Sequence, residues 1–291
     1  MELLASDIRT QEVLHWKGLH LIHFRFSACS QKTRIFLNLK GADWQSHHLN
    51  LAKQQNYEDW FLGINPRGLV PVLVHDGVVH IESNDILAYL ERVLPTPPLI
   101  PESLQGQITA GLKEENDLHL DLRTLTMGFL SPQVLVRKKQ TLMENYQNDA
   151  GKLRGEADPH KPLELKFWQD FAKTGITPMQ ATAAADKFAH VYRRLDQDLS
   201  DQRYLAGDNL TLLDIAWFIY THRLNDAGYP FETLHPHVHK WFEHLMQKPE
   251  FAKEVAQPTP MKIAVGAFKK IQKLQGQTLP DLMQRAGLLN G

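Results

Sequence analysis

Hydrophobic positions near the start of the chain alternate between strand-like and helix-like spacing. Residues 19–26 (LHLIHFRF) and 44–51 (WQSHHLNL) alternate as strands do, and residues 32–41 (KTRIFLNLKG) carry apolar side chains at helical spacing between them. Two more strands, PVLVH and VVHIE, are separated by Asp76-Gly77, the strongest short hairpin signal. With a short helix in NYEDWFLGI and a last one in SNDILAYLERVL, the order β-α-β-α-β-β-α predicts an α/β unit whose first two strands are parallel.

The pattern becomes helical after a proline-rich stretch, PTPPLIPES. We expect one long helix over residues 104–130 and another over 177–199, while LTLLDIAWFIYTHRL (210–224) is apolar nearly all round, as is typical of a buried central helix. Residues 131–161 are polar and predict an insertion or a long mobile loop. The predicted divisions are an N-terminal extension (1–18), the α/β unit (19–94), a linker (95–103), an all-helical domain (104–256) that contains the insertion, and a C-terminal tail (257–291).

Composition excludes several classes of protein. The net charge of −1 and the pI of about 7.0 argue against bulk binding to nucleic acid or to an acidic membrane surface. No apolar run approaches the roughly 18 residues of a membrane span, and the start of the chain lacks the apolar stretch of a secretory signal. The single cysteine, Cys29, forbids an internal disulfide and suits a reducing compartment. We therefore expect a cytoplasmic protein.

Fifteen histidines raise the question of a metal site. His235, His237 and His239 are spaced i, i+2, i+4, and residues two apart do not share a helix face. No cysteine partners accompany them, so the ligand-spacing rules predict no metal.

A proline inside a strand-like run, in NPRGLVPVLVHDGVVHIES, is the first sign of chemistry. Pro71 cannot donate to a sheet ladder, so it belongs at a strand's first residue, an edge or a bulge. A cis bond between Val70 and Pro71 would turn the preceding backbone groups away from the sheet. Those groups would then be free to pair with an extended ligand.

Two helix starts offer further anchors. Ser27 lies where the first strand turns into a helix, and its hydroxyl can donate to a thiolate beside the positive end of the helix. The alternative is that Ser27 or Ser30 merely caps the helix. At the next helix start, Ser83 can hold a carboxylate and Glu82 an ammonium, and plain capping by Ser83 is again the alternative. Together the anchors describe a small peptide thiol.

Four segments resemble glutathione S-transferases, in that family's order. The segments SACSQKTRIFLNLKG, NPRGLVPVL and HDGVVHIESNDILAYLE are similar to the thioredoxin-like domain of these enzymes. GDNLTLLDIAWF resembles their buried helix, with Thr211 and Asp214 at its capping motif. The resemblance covers roughly residues 19–256. It implies an α/β thioredoxin-like N-terminal domain, an all-α C-terminal helical bundle, glutathione as co-substrate, and a homodimer.

The turn FRFSACSQKTR is similar to both the zeta and the omega classes, and both alignments place Ser27 at the catalytic position. Serine replaces the omega cysteine, which argues against thiol-transferase chemistry, and Ala28 replaces a second zeta serine. INPRGLVPVLVHDGVVHIES and the insertion resemble the bacterial and fungal etherase-type transferases, which cleave β-aryl ethers with glutathione. A long connection of this kind is also similar to that of the ganglioside-induced differentiation-associated proteins.

The resemblance assigns a role to individual residues. Ser27 would hydrogen-bond the glutathione sulfur, and Val70, before a cis Pro71, would pair through its backbone with the cysteinyl part. Glu82 and Ser83 would hold the γ-glutamyl ammonium and carboxylate. The glycyl end would contact Asn56, with Gln55 or Lys53 as substitutes.

The second substrate is expected to sit between the domains, against one face of the long helix. By resemblance that face carries His119, Leu120, Arg123 and Met127. The alternatives are that Leu120 and Met127 belong to the core and that Arg123 forms a surface salt bridge.

The predicted function is that of a glutathione S-transferase. Ser27 would stabilise the glutathione thiolate for attack on a hydrophobic, aromatic or aryl-ether electrophile. One alternative is a non-catalytic binding or regulatory protein of the same fold, and another is a glutathione-dependent isomerase or dehalogenase.

Overall fold

The computed structural model describes residues 1–289, so the last two residues of the predicted tail lie outside the described residues. Its chain contacts divide the described residues into two compact units, residues 1–97 with 137–173 and residues 98–136 with those from 174 onward. The strands are β1 Leu19–His23, β2 Gln45–His48, β3 Val72–His75, β4 Val78–His80, β5 Lys152–Leu153 and β6 Glu156–Ala157. The helices are α1 Ala28–Leu39, α2 Asp59–Leu62, α3 Ser83–Val93, α4 Gln105–Asp117, α5 His119–Phe129, α6 Gln140–Asn148, α7 His160–Thr174, α8 Pro178–Asp201, α9 Leu212–Ala227, α10 Phe231–Leu234, α11 Pro236–Met246, α12 Pro249–Val255, α13 Thr259–Leu274 and α14 Leu279–Arg285.

The first unit is built on a four-stranded sheet in the order β2-β1-β3-β4. β1 and β2 are parallel, and β1-β3 and β3-β4 are antiparallel, as the predicted α/β unit requires. Ile22 lies opposite Val72, and both are buried in one core cluster. Because side chains alternate along a strand, Leu21 and Leu73 form a second buried pair on the opposite face. The predicted α/β fold is confirmed.

The hairpin between β3 and β4 turns at Asp76 and Gly77, as predicted. Both residues have positive φ angles, 49° and 84°, which two-residue hairpins of this type require. A Cβ atom on Gly77 would stand 2.1 Å from the carbonyl oxygen of Leu14, so only glycine fits against the leader there.

Residues 1–18, expected to be a partly ordered extension, are an integral part of the first unit. The backbone N–H of Leu3 donates to the carbonyl of Val79 at 2.9 Å, so the leader runs beside β4. Leu3, Ile8 and Val13 are buried in the same core cluster as the sheet. The leader is ordered because it supplies apolar side chains to that core, a role that its polar composition did not reveal.

The insertion also differs from expectation. Residues 137–173 belong to the first unit, and they form α6, the β5-β6 hairpin and most of α7. Tyr146 is fully buried against Tyr57, with ring centroids 5.1 Å apart, and Leu142 and Met143 pack against the same cluster. The segment thus forms helices and a hairpin with an apolar face, where the polar sequence had predicted an insertion or a long loop.

The second unit is helical throughout, as predicted. Residues 104–130 do not form one helix, however, because the backbone changes direction at Leu118, between α4 and α5. The N–H of Leu118 is shared between the carbonyls of Glu114 and Glu115, at 3.3 and 3.2 Å. The tail holds α13, which the pattern missed, as well as the expected α14. Within residues 1–289, no helix is long and apolar enough to cross a bilayer.

The predicted buried central helix is α9, and Asp214 anchors its first turn. Its carboxylate accepts hydrogen bonds from the backbone N–H and the hydroxyl of Thr211 at 2.8 and 3.0 Å. It also accepts from the N–H of Leu205 at 2.9 Å and from Nε1 of Trp241 at 3.0 Å. Asp214 is fully buried, so it connects the start of α9 to the preceding loop and to α11 without contact with water.

We predict that Asp214→Ala lowers the free energy of unfolding by at least about 3 kcal/mol, because several buried donors lose their acceptor at once. Urea denaturation measures this change. Asp208→Ala is the matched control, since Asp208 is exposed in the loop before α9, and we expect it to change the same quantity by less than about 0.5 kcal/mol. Equal losses in the two variants would contradict the anchoring role of Asp214.

Candidate functional site

Ser27 is the residue immediately before α1, and its side chain caps the helix. The Ser27 Oγ accepts a hydrogen bond from the backbone N–H of Ser30 at 3.3 Å. The capping alternative is therefore realised in the structure. A hydroxyl that accepts through a lone pair still carries its own O–H, and the half-buried Ser27 retains that proton for a further acceptor. Capping and donation to a ligand are thus compatible in one side chain.

The other polar residue of this turn has a different role. Ser30 is fully buried, and its Oγ accepts from the backbone N–H of Phe24 at 3.4 Å. Cys29, which lies between the two serines, is half-buried. Because Ser30 is fully buried while Ser27 is only half-buried, Ser27 is the serine better placed to meet a ligand.

A buried arginine, Arg34, stabilises the turn between β1 and α1 by hydrogen bonds. Arg34 on α1 donates through Nη2 to the carbonyl of Arg25 at 2.9 Å and through Nη1 to Nδ1 of His23 at 3.0 Å. Since Nδ1 of His23 accepts, its Nε2 carries the proton and donates to the hydroxyl of Ser46 at 2.8 Å. Burial, and then the positive charge of Arg34, lower the pKa of His23 to about 3. The ring is therefore neutral at physiological pH.

The loop before β3 is fixed through three successive carbonyl groups. The carbonyl of Arg67 accepts from the hydroxyl of Tyr146 at 3.1 Å. Side-chain amides bind the next two, because Asn56 donates to Gly68 and Asn65 donates to Leu69, each at 2.8 Å. This part of the backbone is thus held by two side chains from other segments, Tyr146 and Asn56, and by Asn65 of the loop itself.

The following peptide, Val70–Pro71, is cis, as predicted. Among the described residues, neither the N–H nor the carbonyl of Val70 has a hydrogen-bond partner, although the side chain belongs to the core cluster. Regular pairing begins only at Val72. Val70 therefore offers one unpaired donor and one unpaired acceptor at the end of the sheet.

The start of α3 differs by one residue from expectation. Ser83 is the first residue of the helix and not its cap, and Glu82 occupies the cap position with a φ of 65°. Plain capping therefore does not describe Ser83. Among residues 1–289, no partner of the half-buried Ser83 hydroxyl is found. The hydroxyl and the adjacent N–H groups of the first turn of α3 suit an anion.

Glu82 is paired with an arginine that sequence reasoning had not singled out. Arg67 Nη1 lies 2.5 Å from Glu82 Oε1. The same guanidinium donates to Asp158 through Nε and Nη2, both at 2.9 Å. Arg67 was visible inside the NPRGLVP motif, but nothing in the polar insertion marked Asp158 as its partner.

The two residues predicted at the glycyl end are engaged in the local backbone. Asn56 is buried, its Nδ2 binds Gly68, and its Oδ1 is buried without a hydrogen-bond partner in the described chain. Gln55 accepts through Oε1 from the N–H of Asn50 at 2.7 Å, while Lys53 is exposed. The structure thus gives Asn56 a part in shaping the loop before Val70, and its contact with a ligand stays a prediction.

The residues predicted for the second substrate lie on α5 in the second unit. His119 Nδ1 is 3.3 Å from the hydroxyl of Tyr220 on α9. Leu120 is 49% exposed, so the alternative of a core residue does not describe it. Arg123 and Met127 are half-buried. Their role in binding a substrate stays a prediction.

The histidines and acidic residues do not gather into a metal centre in the part of the chain that the structure describes. Within residues 1–289, no group of three or more histidine, cysteine or carboxylate side chains is arranged to hold a metal ion.

The sequence matches the models of two domains of one protein family. Residues 26–93 match the N-terminal domain of glutathione S-transferases, and residues 172–249 match their C-terminal domain. Protein LigF from Sphingobium sp. is 43% identical over 216 residues, which are 72% of this chain and 80% of that protein. The crystal structure of the β-etherase LigF superposes with a TM-score of 0.67 over 81% of this chain and 98% of that one. The sequence identity over that superposition is 26%.

Other relatives align over a shorter part of the chain. Glutathione S-transferase 1 from Dianthus caryophyllus is 41% identical over 87 residues, which are 30% of this chain and 39% of that protein. Maleylacetoacetate isomerase from Mus musculus is 40% identical over 130 residues, which are 37% of this chain and 60% of that protein. The alignments thus span less than two thirds of the length of these two relatives.

The buried His23 predicts a pH dependence of stability. An unfolded histidine titrates near about pH 6.5, so the unfolded state takes up the proton first as the pH falls. The contribution of His23 is fully present above about pH 6.5, and the free energy of unfolding decreases from there towards the folded-state pKa of about 3.

We predict that His23→Asn, which keeps an acceptor for Arg34 but does not titrate, lowers the slope of the free energy of unfolding against pH. The expected reduction corresponds to the uptake of at most about one proton on unfolding. Urea denaturation at a series of pH values between 7 and 4 measures the slope. The control is His15→Asn, because His15 is exposed in the leader. A slope that His23→Asn leaves unchanged would contradict the prediction.

Proposed function

The chain belongs to the glutathione S-transferase family, and on that basis we propose that its first unit binds glutathione and that Ser27 stabilises the glutathione thiolate. The observation that carries the proposal is the double capacity of Ser27. Its Oγ accepts the N–H of Ser30 and its O–H is left to donate, at the positive end of a 12-residue helix.

The anchors for the rest of glutathione are separate polar groups of the same unit. The unpaired N–H and carbonyl of Val70 pair with the backbone of the cysteinyl part, as in strand addition. The Ser83 hydroxyl and the first turn of α3 hold the γ-glutamyl carboxylate, and Glu82 holds the γ-glutamyl ammonium. Asn56 and Gln55 would contact the glycyl end.

The chemical step follows from a lowered pKa of the thiol. A free thiol has a pKa of about 8.5, and both a hydroxyl donor and a helix N-terminus favour its charged form. The proton leaves to solvent, and the sulfur then attacks an electrophilic carbon. A carbon–sulfur bond forms as the bond to the leaving group breaks, and the leaving group departs with the electron pair.

We propose a hydrophobic, aromatic or aryl-ether electrophile as the second substrate. The support is the similarity over most of the chain to LigF, a β-etherase, together with the residues on α5. Leu120 and Met127 would contact the apolar part of this substrate, and His119 or Arg123 would stabilise an anionic leaving group such as a phenolate. Cytoplasmic location and a homodimer complete the proposal. The location rests on the composition and the single cysteine, and the homodimer rests on the family resemblance.

A glutathione-dependent isomerase is the second candidate. It is favoured by the similarity to the maleylacetoacetate isomerase of Mus musculus and shares every glutathione contact proposed above. Ala28 distinguishes the two candidates, because the zeta-type pattern has a second serine at this position. A non-catalytic binding protein would need the same anchors but would not need the Ser27 hydroxyl to ionise the thiol.

We predict that glutathione bound to the wild-type protein has a thiol pKa clearly below about 8.5 and that Ser27→Ala raises it by about one to two units. The reason is that a hydrogen bond to a charged group contributes about 1.5–3 kcal/mol. Ultraviolet thiolate absorbance across pH, with glutathione bound, measures this pKa directly.

Ser27→Thr and Ser30→Ala are the controls for this measurement. Threonine keeps the hydroxyl and the cap, so the lowered thiol pKa should persist. Ser30→Ala removes a hydroxyl that accepts the backbone N–H of Phe24. It should therefore lower the free energy of unfolding without changing the thiol pKa. Bound glutathione with an unshifted thiol in the wild type would favour the non-catalytic protein.

A further inference from the structure

The insertion places one carboxylate directly against the buried arginine of the NPRGLVP loop. Asp158 and Arg67 are separated by 91 residues in the chain and are joined by two hydrogen bonds of 2.9 Å. The side chains are only 1% and 6% exposed, so the contact is shielded from water and from screening by salt. Asp158 is itself held, because its Oδ1 accepts the N–H of His160 at 3.2 Å.

The geometry of the guanidinium turns this contact into a positioning device. Asp158 engages Nε and Nη2 together, and a planar group that is held at two nitrogen atoms has a fixed plane. The third nitrogen, Nη1, then points in a set direction, and it lies 2.5 Å from Glu82 Oε1. Tyr146, also from the insertion, binds the carbonyl of Arg67, so both ends of this residue are fixed by the insertion.

Glu82 is left with one oxygen for a ligand. Oε1 is taken by Arg67, while Oε2 has no partner among residues 1–289. The Glu82 side chain is 34% exposed and accessible to a small ligand. The direction of this side chain is set by the positive φ of Glu82 at its base and by the guanidinium of Arg67 at Oε1.

The charges of the three side chains determine what the subsite prefers. Arg67 alone would neutralise Glu82 and leave little attraction for a cation. Asp158 adds a second negative charge, so the group of three carries a net charge of −1 and attracts an ammonium. Burial opposes the charge on Arg67, but its hydrogen bonds to Asp158 and its contact with Glu82 raise the pKa of Arg67 above its ordinary value, so the cation persists.

We propose that Asp158 is a positioning residue for the α-ammonium of glutathione, acting through Arg67 on Glu82 and keeping this subsite negatively charged. The inference rests on the proposed function. It gives the insertion a specific role, since selectivity for a free γ-glutamyl amine then depends on a residue that lies outside the family-matched segments.

The test compares the binding of glutathione and of N-acetylglutathione, whose amine carries no charge, by titration calorimetry. The wild type should bind glutathione at least about tenfold more tightly than the acetylated form, a difference of about 1.4 kcal/mol. In Asp158→Asn, which keeps the shape but loses the charge and one acceptor, this preference should shrink to less than about threefold. The pKa of the bound thiol should not change, because Ser27 sets it.

Two further variants separate positioning from general loosening. Asp149→Asn removes another carboxylate of the insertion, the partner of Arg9, and should leave the preference intact. Asp158→Glu restores the charge, so it should recover part of the preference that Asp158→Asn loses. If Asp158→Asn does not fold, Asp158→Ser replaces it in the comparison, because serine also removes the charge and can still accept the N–H of His160.

Equal weakening of both ligands in Asp158→Asn would overturn the positioning role and leave the proposed glutathione site standing. Failure of the wild type to bind either ligand would overturn both. A wild type that binds the two ligands equally well would show that Glu82 does not meet the ammonium and would also overturn the inference.

Discussion

A buried guanidinium needs a partner of opposite charge, and Arg67 pairs with two carboxylates, Asp158 of the insertion and Glu82 at the start of α3. The loop that carries Arg67 also carries the carbonyl groups held by Tyr146, Asn56 and Asn65. These contacts fix the backbone up to Leu69, and the first unpaired peptide groups beyond it belong to Val70. A buried ion pair is weak evidence for stability, because desolvation offsets much of the attraction. Its clearest effect here is geometric, since it orders the loop, the insertion and the start of α3 around one group.

The two helix starts show why a cap and a ligand site are not exclusive. At α1 the hydroxyl of Ser27 accepts one backbone N–H and still has a proton to give. At α3 the serine, Ser83, is the first residue of the helix. The cap position before it is occupied by Glu82, an ionisable residue with a positive φ. A non-glycine residue in that region carries backbone strain, which proteins tend to retain at ligand sites.

Local patterns predicted most of the elements, and long-range partners explain what they missed. The alternation in β1 and β2, the Asp76-Gly77 turn and the Thr211-Asp214 pair all depend on residues close in sequence, so periodicity and turn chemistry were enough. Ser27, Val70 and Glu82 were predicted as ligand anchors from the motifs around them. The contact between Arg67 and Asp158 had no local signature, because a single aspartate in a polar segment looks like any solvated residue. The place of the leader and of Tyr146 was hidden for the same reason, since isolated apolar residues do not show which core they join.

The course of the leader also determines which side of the sheet is open to other chains. A sheet has two lateral edges, and an edge strand with unpaired peptide groups is a template for aggregation. The apolar side, at β4, is occupied by residues of the leader. The other side, at β2, consists of Gln45, Ser46, His47 and His48, and so short an edge strand offers few peptide groups for pairing. By covering the edge of β4, the leader leaves fewer unpaired peptide groups for pairing with another chain. This consequence is independent of any chemistry at Ser27.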